Sequence, residues 1–164
     1  MLGKNRASPE IKPLKETRFS RCHRYRYYLS HRWSDGERCV FIGLNPSTAT
    51  SKQDDATVRK CAAFASKWGY SGFELINLFA FRSRDPNGLT RHPEPIGPSN
   101  NRWISRTLSD DKLVVACWGN GGALLQRDEI IKAMQDRLYC LGVTKSGQPK
   151  HPLYLPTSTQ LTAL

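Results

Sequence analysis

The chain has 164 residues, the usual length of one domain, and 38% of them are hydrophobic, which is enough to bury a core. No apolar stretch reaches the roughly 18 residues of a membrane-spanning helix, which excludes such a span. Twenty-five Lys and Arg residues against 14 Asp and Glu residues give a net charge of +11. This imbalance favours a nucleic acid as the partner and argues against an acidic protein.

Residues 1–18 carry five Lys and Arg side chains, two prolines and almost no apolar side chain, which predicts a flexible basic arm before a single domain over residues 19–164. The arm lacks the apolar segment of a secretory signal, and the five cysteines are odd in number and form no C-x-x-C pair. We therefore expect a cytoplasmic protein with reduced core thiols.

The first predicted strands form a hairpin. Residues Tyr25–Trp33 alternate loosely between apolar and polar, Ser34-Asp35-Gly36 is typical of a tight turn, and Cys39–Leu44 is a short apolar run. This order predicts an antiparallel hairpin whose second strand is covered on both faces.

Further apolar runs alternate with helical patterns. Asp54 and Asp55 are candidate N-caps for a helix that ends at Gly69, and a later helix carries an apolar stripe within Leu124–Leu138. The other predicted buried strands are residues 73–79, 113–118 and 139–143, and a further helix is capped near Ser99. Such alternation predicts a three-layer α/β/α sandwich with a central, mainly parallel sheet of about four strands, preceded by the N-terminal antiparallel hairpin.

Polar residues follow the predicted parallel strands, where ligands bind in sheets of this type. Asn45 and Ser47 follow the first strand, Asn77 lies in the second, and Trp118 precedes a glycine cluster after the third. The glycine cluster matches neither G-x-G-x-x-G nor the Walker pattern, which argues against nucleoside triphosphate binding. No pair of the four histidines has helical metal-ligand spacing, which argues against zinc.

The C-terminal segment combines basic residues, a His-Pro pair and an apolar tip. A rigid basic loop of this kind can contact phosphates and insert a side chain into a base stack. A tail that packs its Leu and Tyr side chains on the domain explains the same residues equally well. The residues concerned are Lys145, Ser146, Lys150, His151, Leu153 and Tyr154.

These motifs, in this order, resemble those of the uracil-DNA glycosylase superfamily. The matching segments are Gly43-Leu44-Asn45-Pro46-Ser47, Asn77, Cys117-Trp118-Gly119 and His151-Pro152-Leu153-Tyr154-Leu155. One branch of the superfamily has a water-activating Asp at the position of Asn45, whereas the mismatch-specific branch has an Asn there, as this chain does. Leu153-Tyr154 replaces the Ser-Pro pair of the superfamily motif. From about residue 22 to about residue 160 the pattern also resembles a small bacterial and phage family of uncharacterised function.

The first resemblance implies a monomeric, monofunctional DNA glycosylase without metal or cofactor. It would hydrolyse the N-glycosidic bond of a damaged or modified pyrimidine flipped out of duplex DNA and leave an abasic site. Asn45 would position the water with Asp54 or Asp55 as base, Asn77 would read the base edge, and His151 would stabilise the departing base.

The same resemblance implies two further groups of residues. Those that would line the base pocket are Gly43, Leu44, Pro46, Ser47, Phe79, Trp118, Gly119 and Asn120. Those that would contact DNA are Arg82, Arg84, Lys145, Ser146, Lys150, Leu153 and Tyr154. Two other functions remain open: a different reaction of a modified base or nucleotide in the same pocket, such as transfer onto a hypermodified pyrimidine, and nucleic-acid binding without catalysis.

Overall fold

The computed structural model describes residues 12–85 and 87–164, and this part of the chain contains seven strands and four α-helices. The strands are β1 (Leu14–Phe19), β2 (Arg26–Arg32), β3 (Cys39–Gly43), β4 (Gly72–Asn77), β5 (Val114–Ala116), β6 (Tyr139–Cys140) and β7 (Thr162–Ala163). The helices are α1 (Ala56–Lys67), α2 (Gly88–Arg91), α3 (Asn100–Thr107) and α4 (Arg127–Met134), and the 3₁₀ segments are Asn120–Gln126 and Pro152–Tyr154. None of the described helices is long and apolar enough to cross a membrane.

All seven strands belong to one mixed sheet with the order β1-β2-β4-β3-β5-β6-β7. The four strands β4, β3, β5 and β6 are parallel, while β1 pairs antiparallel with β2, β2 with β4, and β6 with β7. The predicted α/β class and a group of four parallel strands are confirmed. The complete sheet is wider than predicted because antiparallel strands extend it on both sides.

The predicted hairpin between β2 and β3 is wrong. Strand β4 lies between them, and its parallel pairing with β3 runs from Cys39 opposite Phe73 to Gly43 opposite Asn77. Helix α1 makes this possible, because a helical crossover brings β4 beside β3 in parallel orientation. After the end of β2 the chain therefore runs past the first residue of β4. There the backbone N–H of Trp33 donates to the carbonyl oxygen of Ser71 at 2.9 Å.

The N-terminal hairpin instead joins β1 to β2, and the predicted flexible arm ends too late. Residues 14–18 lie in β1 and pair with β2, with Leu14 opposite Arg32. An exposed edge strand is held by backbone hydrogen bonds to its neighbour, so it needs few apolar side chains and resembles a polar tail in the sequence. The part of the predicted arm over residues 1–11 lies outside the described residues.

Helices cover both faces of the sheet. Alternate residues of β3 point to opposite faces, so that Phe41 packs in the cluster that contains Phe64 of α1, while Ile42 packs in the cluster that contains Ile104 of α3 and Ile131 of α4. Helix α1 begins at the predicted N-cap, because the side chain of Asp55 accepts a hydrogen bond from the backbone N–H of Val58 at 2.9 Å.

The order of the strands creates a crevice at the carboxyl end of β3. From β3 the chain passes through α1 to β4 on one side, and it then crosses through α3 to β5 on the other side of β3. Successive connections therefore leave the end of β3 in opposite directions. Open α/β sheets bind ligands at such a switch point.

The close contact of β2 and β4 predicts a stability effect at Gly72. A Cβ atom at Gly72 would collide with the backbone carbonyl oxygen of His31, which is fixed in the sheet. We expect Gly72→Ala to lower the free energy of unfolding by about 1–3 kcal/mol, measured by urea denaturation. Ser66→Ala, at an exposed position of α1, is the control and should change it by less than about 0.5 kcal/mol. Equal stability of the two variants would contradict the packing argument.

Candidate active site

A cavity of about 150 Å³ lies at the carboxyl ends of β3, β4 and β5, on the face that α1 covers. We call it the inner pocket. Its floor consists of core side chains from α1, β4 and the end of β5, namely Val58, Leu75 and Cys117. A cavity of about 150 Å³ can hold a six-membered ring such as benzene, so the inner pocket has room for one ring rather than for a nucleotide.

Asn77 presents an unpaired amide to the inner pocket. It pairs with Gly43 across β4 and β3, and a Cβ atom at Gly43 would lie only 2.6 Å from Asn77 Oδ1. Gly43 therefore leaves the space that the Asn77 side chain occupies. The side chain of Asn77 is 4% exposed and its amide makes no hydrogen bond to the described residues, so both its donor and its acceptor are left for a ligand.

Asn45 uses one end of its amide to hold two loops together. Its Nδ2 donates to the carbonyl oxygens of Pro46, Phe81 and Ser83 at 3.2, 3.3 and 3.0 Å. Three surrounding acceptors identify this end of the amide as the nitrogen, because an oxygen would be repelled there. The carbonyl oxygen Oδ1 is therefore the end that can accept a hydrogen bond from a ligand or water at the mouth of the pocket.

The structure separates the two candidate general bases. Asp55 is the only carboxylate among the described residues that line the inner pocket, where its Oδ2 accepts from the Ser47 hydroxyl at 2.9 Å. Asp54 is outside this lining. Its Oδ2 lies 2.9 Å from Lys15 Nζ, and its Oδ1 lies 3.2 Å from His31 Nε2. Of the two predicted alternatives, only Asp55 is placed to act in the pocket.

His151 faces the inner pocket as a hydrogen-bond donor. Its Nδ1 accepts from the backbone N–H of Leu153 at 3.2 Å and caps the 3₁₀ segment Pro152–Tyr154. Burial lowers the pKa of His151, and the nearby Asp55 opposes this shift only in part. The ring is therefore neutral at neutral pH, and since Nδ1 is an acceptor, the proton is on Nε2.

Trp118 lines the inner pocket and fixes the loop that carries His151. Its indole Nε1 donates to Gln148 Oε1 at 2.8 Å, and Gln148 Nε2 donates to Asp128 Oδ2 at 2.8 Å. Gly122 lies against the Trp118 ring, where a Cβ atom would collide with it. The glycine cluster after β5 therefore has a packing role beside this indole.

Sequence reasoning missed Arg26, which also lines the inner pocket. Arg26 is 3% exposed, its Nη1 donates to the carbonyl oxygen of Ala49 at 3.0 Å, and its Nε is buried without a partner among the described residues. Burial lowers the pKa of Arg26 to about 10, which leaves it charged at neutral pH. The available signal was a single Arg within the aromatic run Tyr25–Tyr28.

Three residues expected to line the base pocket lie elsewhere. Phe79 is fully buried in the core cluster on the opposite face of the sheet, which contains Ile104. Gly119 and Asn120 are not part of the lining, and Asn120 Oδ1 instead accepts from the Thr144 hydroxyl at 2.6 Å. The expected residues that do line the inner pocket are Gly43, Leu44, Asn45, Pro46, Ser47, Asp55, Asn77, Trp118 and His151.

A wider groove of about 570 Å³ opens outside the inner pocket and shares Asn45 and His151 with it. We call it the outer groove. Among the expected DNA-contacting residues, Arg84, Leu153 and Tyr154 line it, and Tyr154 is 88% exposed.

The other expected DNA-contacting residues lie outside the outer groove. Arg82 Nη1 donates to the carbonyl oxygen of His23 at 3.0 Å, and its guanidinium lies over the Phe19 ring. Lys145, Ser146 and Lys150 are exposed on the loop before His151.

Comparison with protein families finds one family whose matching segment contains the residues of the inner pocket. The model of a family described as "Protein of unknown function (DUF1643)" matches residues 26–153. The chain belongs to the DUF1643 family. No curated protein and no solved structure matches it. The DUF1643 segment begins at Arg26 and ends two residues after His151, so it includes every residue that lines the inner pocket.

The described part of this DUF1643 protein has no cluster of potential metal ligands. Within residues 12–85 and 87–164, no group of three or more His, Cys, Asp or Glu side chains is arranged to hold a metal ion. Burial raises the pKa of the Cys117 thiol in the pocket floor to about 12, so this thiol is protonated at neutral pH. Cys117 therefore contributes an uncharged surface to the pocket.

The buried histidines predict how stability depends on pH. Burial lowers the pKa values of His31 and His151, whereas a histidine in the unfolded chain titrates near 6.5. As the pH falls through about 6.5, the unfolded chain therefore binds protons before the folded chain does, and the free energy of unfolding should fall. Urea denaturation at several pH values measures this slope.

Two variants connect this slope to the buried rings. His151→Gln should make it shallower, while Ser66→Ala, at an exposed position without a titratable side chain, should leave it as in the wild type. A slope that is unchanged in His151→Gln would contradict the assignment of a neutral buried ring.

Proposed function

We propose that this protein hydrolyses the N-glycosidic bond of one pyrimidine-type base that is flipped out of DNA into the inner pocket. The observation that carries the proposal is the set of groups around a cavity of single-ring size: the free amide of Asn77, the Nε2–H of His151 and the carboxylate of Asp55. A hydrolase of this kind needs to bind a base edge, to stabilise the leaving base and to activate water.

The reaction breaks one bond and forms another. The bond between C1′ of the sugar and the base nitrogen breaks, its electron pair remains on the base, and water adds to C1′ with loss of a proton to Asp55. Asn45 Oδ1 accepts one hydrogen of this water and Asp55 accepts the other, while the Ser47 hydroxyl orients Asp55 by donating to its Oδ2. The products are the free base and an abasic site.

Two residues of the inner pocket, Asn77 and His151, hold the base. Asn77 donates to and accepts from the polar edge of the ring, and the Nε2–H of His151 donates to the oxygen on which negative charge develops. A donor that is already oriented by its neighbours stabilises such a charge without reorganisation. The orientation of His151 is set by the bond from Leu153 N–H to its Nδ1.

DNA would lie along the outer groove. Arg84 supplies a positive charge there, the exposed Tyr154 is available to fill the gap in the base stack, and the net charge of +11 favours binding to phosphates. The position of the Asn45, Asn77, Trp118 and His151 motifs at the ends of β3, β4 and β5 and in the last loop supports a three-layer arrangement like that of uracil-DNA glycosylases. A group transfer onto a modified pyrimidine in this pocket remains the second candidate, and it would leave no abasic site.

The His151 donor yields the first test of the proposal. His92 is a matched control, since it also precedes a proline and its Nδ1 accepts the N–H of the residue two positions later, Glu94, at 3.1 Å. We expect His151→Ala to slow base release about a hundredfold or more in single-turnover assays and His92→Ala to retain the wild-type rate. Duplexes that contain uracil or modified pyrimidines, cleaved with alkali after reaction, report abasic sites.

Two results would count against the proposal. Equal rates of His151→Ala and the wild type would reduce the role of this ring to capping the 3₁₀ segment. No abasic site in any of the duplexes with the wild-type protein would overturn the glycosylase assignment.

The Asn77 amide yields the second test. Asn77→Asp replaces a donor by an acceptor of the same shape, so we expect it to change which pyrimidine is released more than it changes stability. Asn100→Asp is the contrasting variant, because Asn100 Nδ2 donates to the carbonyl oxygens of Asn77 and Leu78, both at 3.0 Å. It should lower stability and leave the base preference unchanged. Identical base preferences of Asn77→Asp and the wild type would remove base recognition from Asn77.

A further inference from the structure

Arg26 is a buried cation whose hydrogen-bonding capacity is only partly used. One nitrogen, Nη1, donates to the carbonyl oxygen of Ala49, while Nε is buried without a partner among the described residues. No carboxylate of the described residues forms an ion pair with it. Buried charges are normally paired, because removing an ion from water is costly.

The carboxylate that acts on the charge of Arg26 is hydrogen-bonded to other groups through both of its oxygens. Asp55 Oδ1 caps α1 through Val58 N–H at 2.9 Å, and Asp55 Oδ2 accepts from the Ser47 hydroxyl at 2.9 Å. Asp55 acts on Arg26 only through space, and Arg82 acts in the opposite direction. The guanidinium of Arg26 therefore makes no direct bond to Asp55, and its unused donor lies beside the inner pocket.

The strand geometry fixes Arg26 in this position. The register of β1 and β2 shifts beside Tyr27, so that Tyr28 pairs with Arg18 and Arg26 pairs with Phe19. Such a bulge re-aims side chains and is frequent next to binding sites. The backbone N–H of Arg26 also donates to the carbonyl oxygen of Ala80 at 2.9 Å, which ties the bulge to the loop after β4.

We propose that Arg26 binds the negatively charged oxygen of a six-membered pyrimidine ring, so that the inner pocket prefers the anion of the base to its neutral form. The floor favours a ring over a phosphate group, because Val58, Leu75 and Cys117 present an apolar surface that would leave phosphate oxygens without donors. The identity of the ring as a nucleic-acid base rests on the proposed function.

A fixed cation in the inner pocket restricts the class of substrate. When the bond from C1′ to the base nitrogen breaks, the electron pair leaves with the base, and a fixed cation lowers the energy of that anion. Pyrimidines with electron-withdrawing substituents, whose anions are the more stable ones, are then the favoured substrates. Arg26 would act together with the His151 donor, which is neutral and supplies no full charge.

Binding of free rings tests this inference without any turnover. Barbiturate and uracil have nearly the same shape, and barbiturate is an anion at neutral pH, whereas uracil is neutral. Isothermal titration calorimetry on the full chain should show barbiturate binding about tenfold or more tightly than uracil, as charge-assisted hydrogen bonds are stronger than neutral ones. Equal affinities for the two rings, or no binding of barbiturate, would overturn the proposal.

Three variants assign the preference to Arg26. Arg26→Gln should remove it and Arg26→Lys should retain part of it. Arg127→Gln should keep it, because Arg127 is also buried but donates to the Leu78 carbonyl and to Asn101 Oδ1, away from the pocket. Circular dichroism checks that each variant is folded. If Arg26→Gln does not fold, the partial preference expected of Arg26→Lys decides, and a full wild-type preference there would overturn the role of the guanidinium.

Three further outcomes distinguish this inference from the proposed function and from binding of another ligand. Inorganic phosphate that binds in an Arg26-dependent way, without barbiturate binding, would overturn the choice of a ring. A preference for barbiturate that depends on Arg26, without abasic sites in DNA, would support the anion site and overturn the glycosylase assignment. Abasic sites without this preference would do the reverse.

Discussion

The inner pocket depends on the bonds that join the loop after β3 to the loop after β4. Backbone N–H groups of Leu78, Phe79 and Ser83 donate to the carbonyl oxygens of Gly43, Leu44 and Pro46 at 2.9 to 3.0 Å. The side-chain nitrogen of Asn45 adds two more bonds between these loops, to the carbonyl oxygens of Phe81 and Ser83. Because the segments after β3 and β4 continue side by side beyond the sheet, Asn77 and the Asn45 side-chain carbonyl are held at one opening instead of on separate mobile loops.

Sequence reasoning found the parts of this site that follow from local patterns. The apolar runs located β3, β4 and β5, and the carboxyl ends of parallel strands converge, so Asn45 and Asn77 were expected in one crevice. The capping role of Asp55 was also predictable, since an Asp before an apolar helical pattern has a local physical reason to be there. The choice between Asp54 and Asp55 as the general base was not predictable. It depends on the contacts of Asp54 with Lys15 and His31, which belong to strands far away along the chain.

Long-range pairing and buried charge are where sequence reasoning failed. The partner of β2 is decided by the α1 crossover, which inserts β4, and nothing within β2 itself encodes that insertion. Arginine is mostly exposed in proteins, so neither Arg26 nor Arg127 was expected inside the fold. Buried charge also explains why the predicted apolar stripe of α4 is incomplete. Arg127 and Asp128 are buried and hydrogen-bonded there. Two apolar residues of the same helix, Ile130 and Met134, are instead 39% and 40% exposed.

The two His-Pro pairs illustrate why a local motif does not by itself identify a functional residue. In both pairs the histidine Nδ1 accepts the N–H of the residue two positions later, which is a property of the local backbone. The ring of His92 then stacks on Phe81 with centroids 3.9 Å apart, whereas the ring of His151 lines a pocket. In that pocket Arg26 Nε is buried without a hydrogen-bond partner among the described residues, although a buried unpaired group costs about 1–3 kcal/mol, and the Asn77 amide lies beside it in the lining. Other buried atoms without a hydrogen-bond partner among the described residues, such as Thr17 Oγ1 and Arg82 Nε, lie outside the inner pocket. Arg26 and Asn77 instead line a cavity that a ligand can fill, which is the expected character of a binding site.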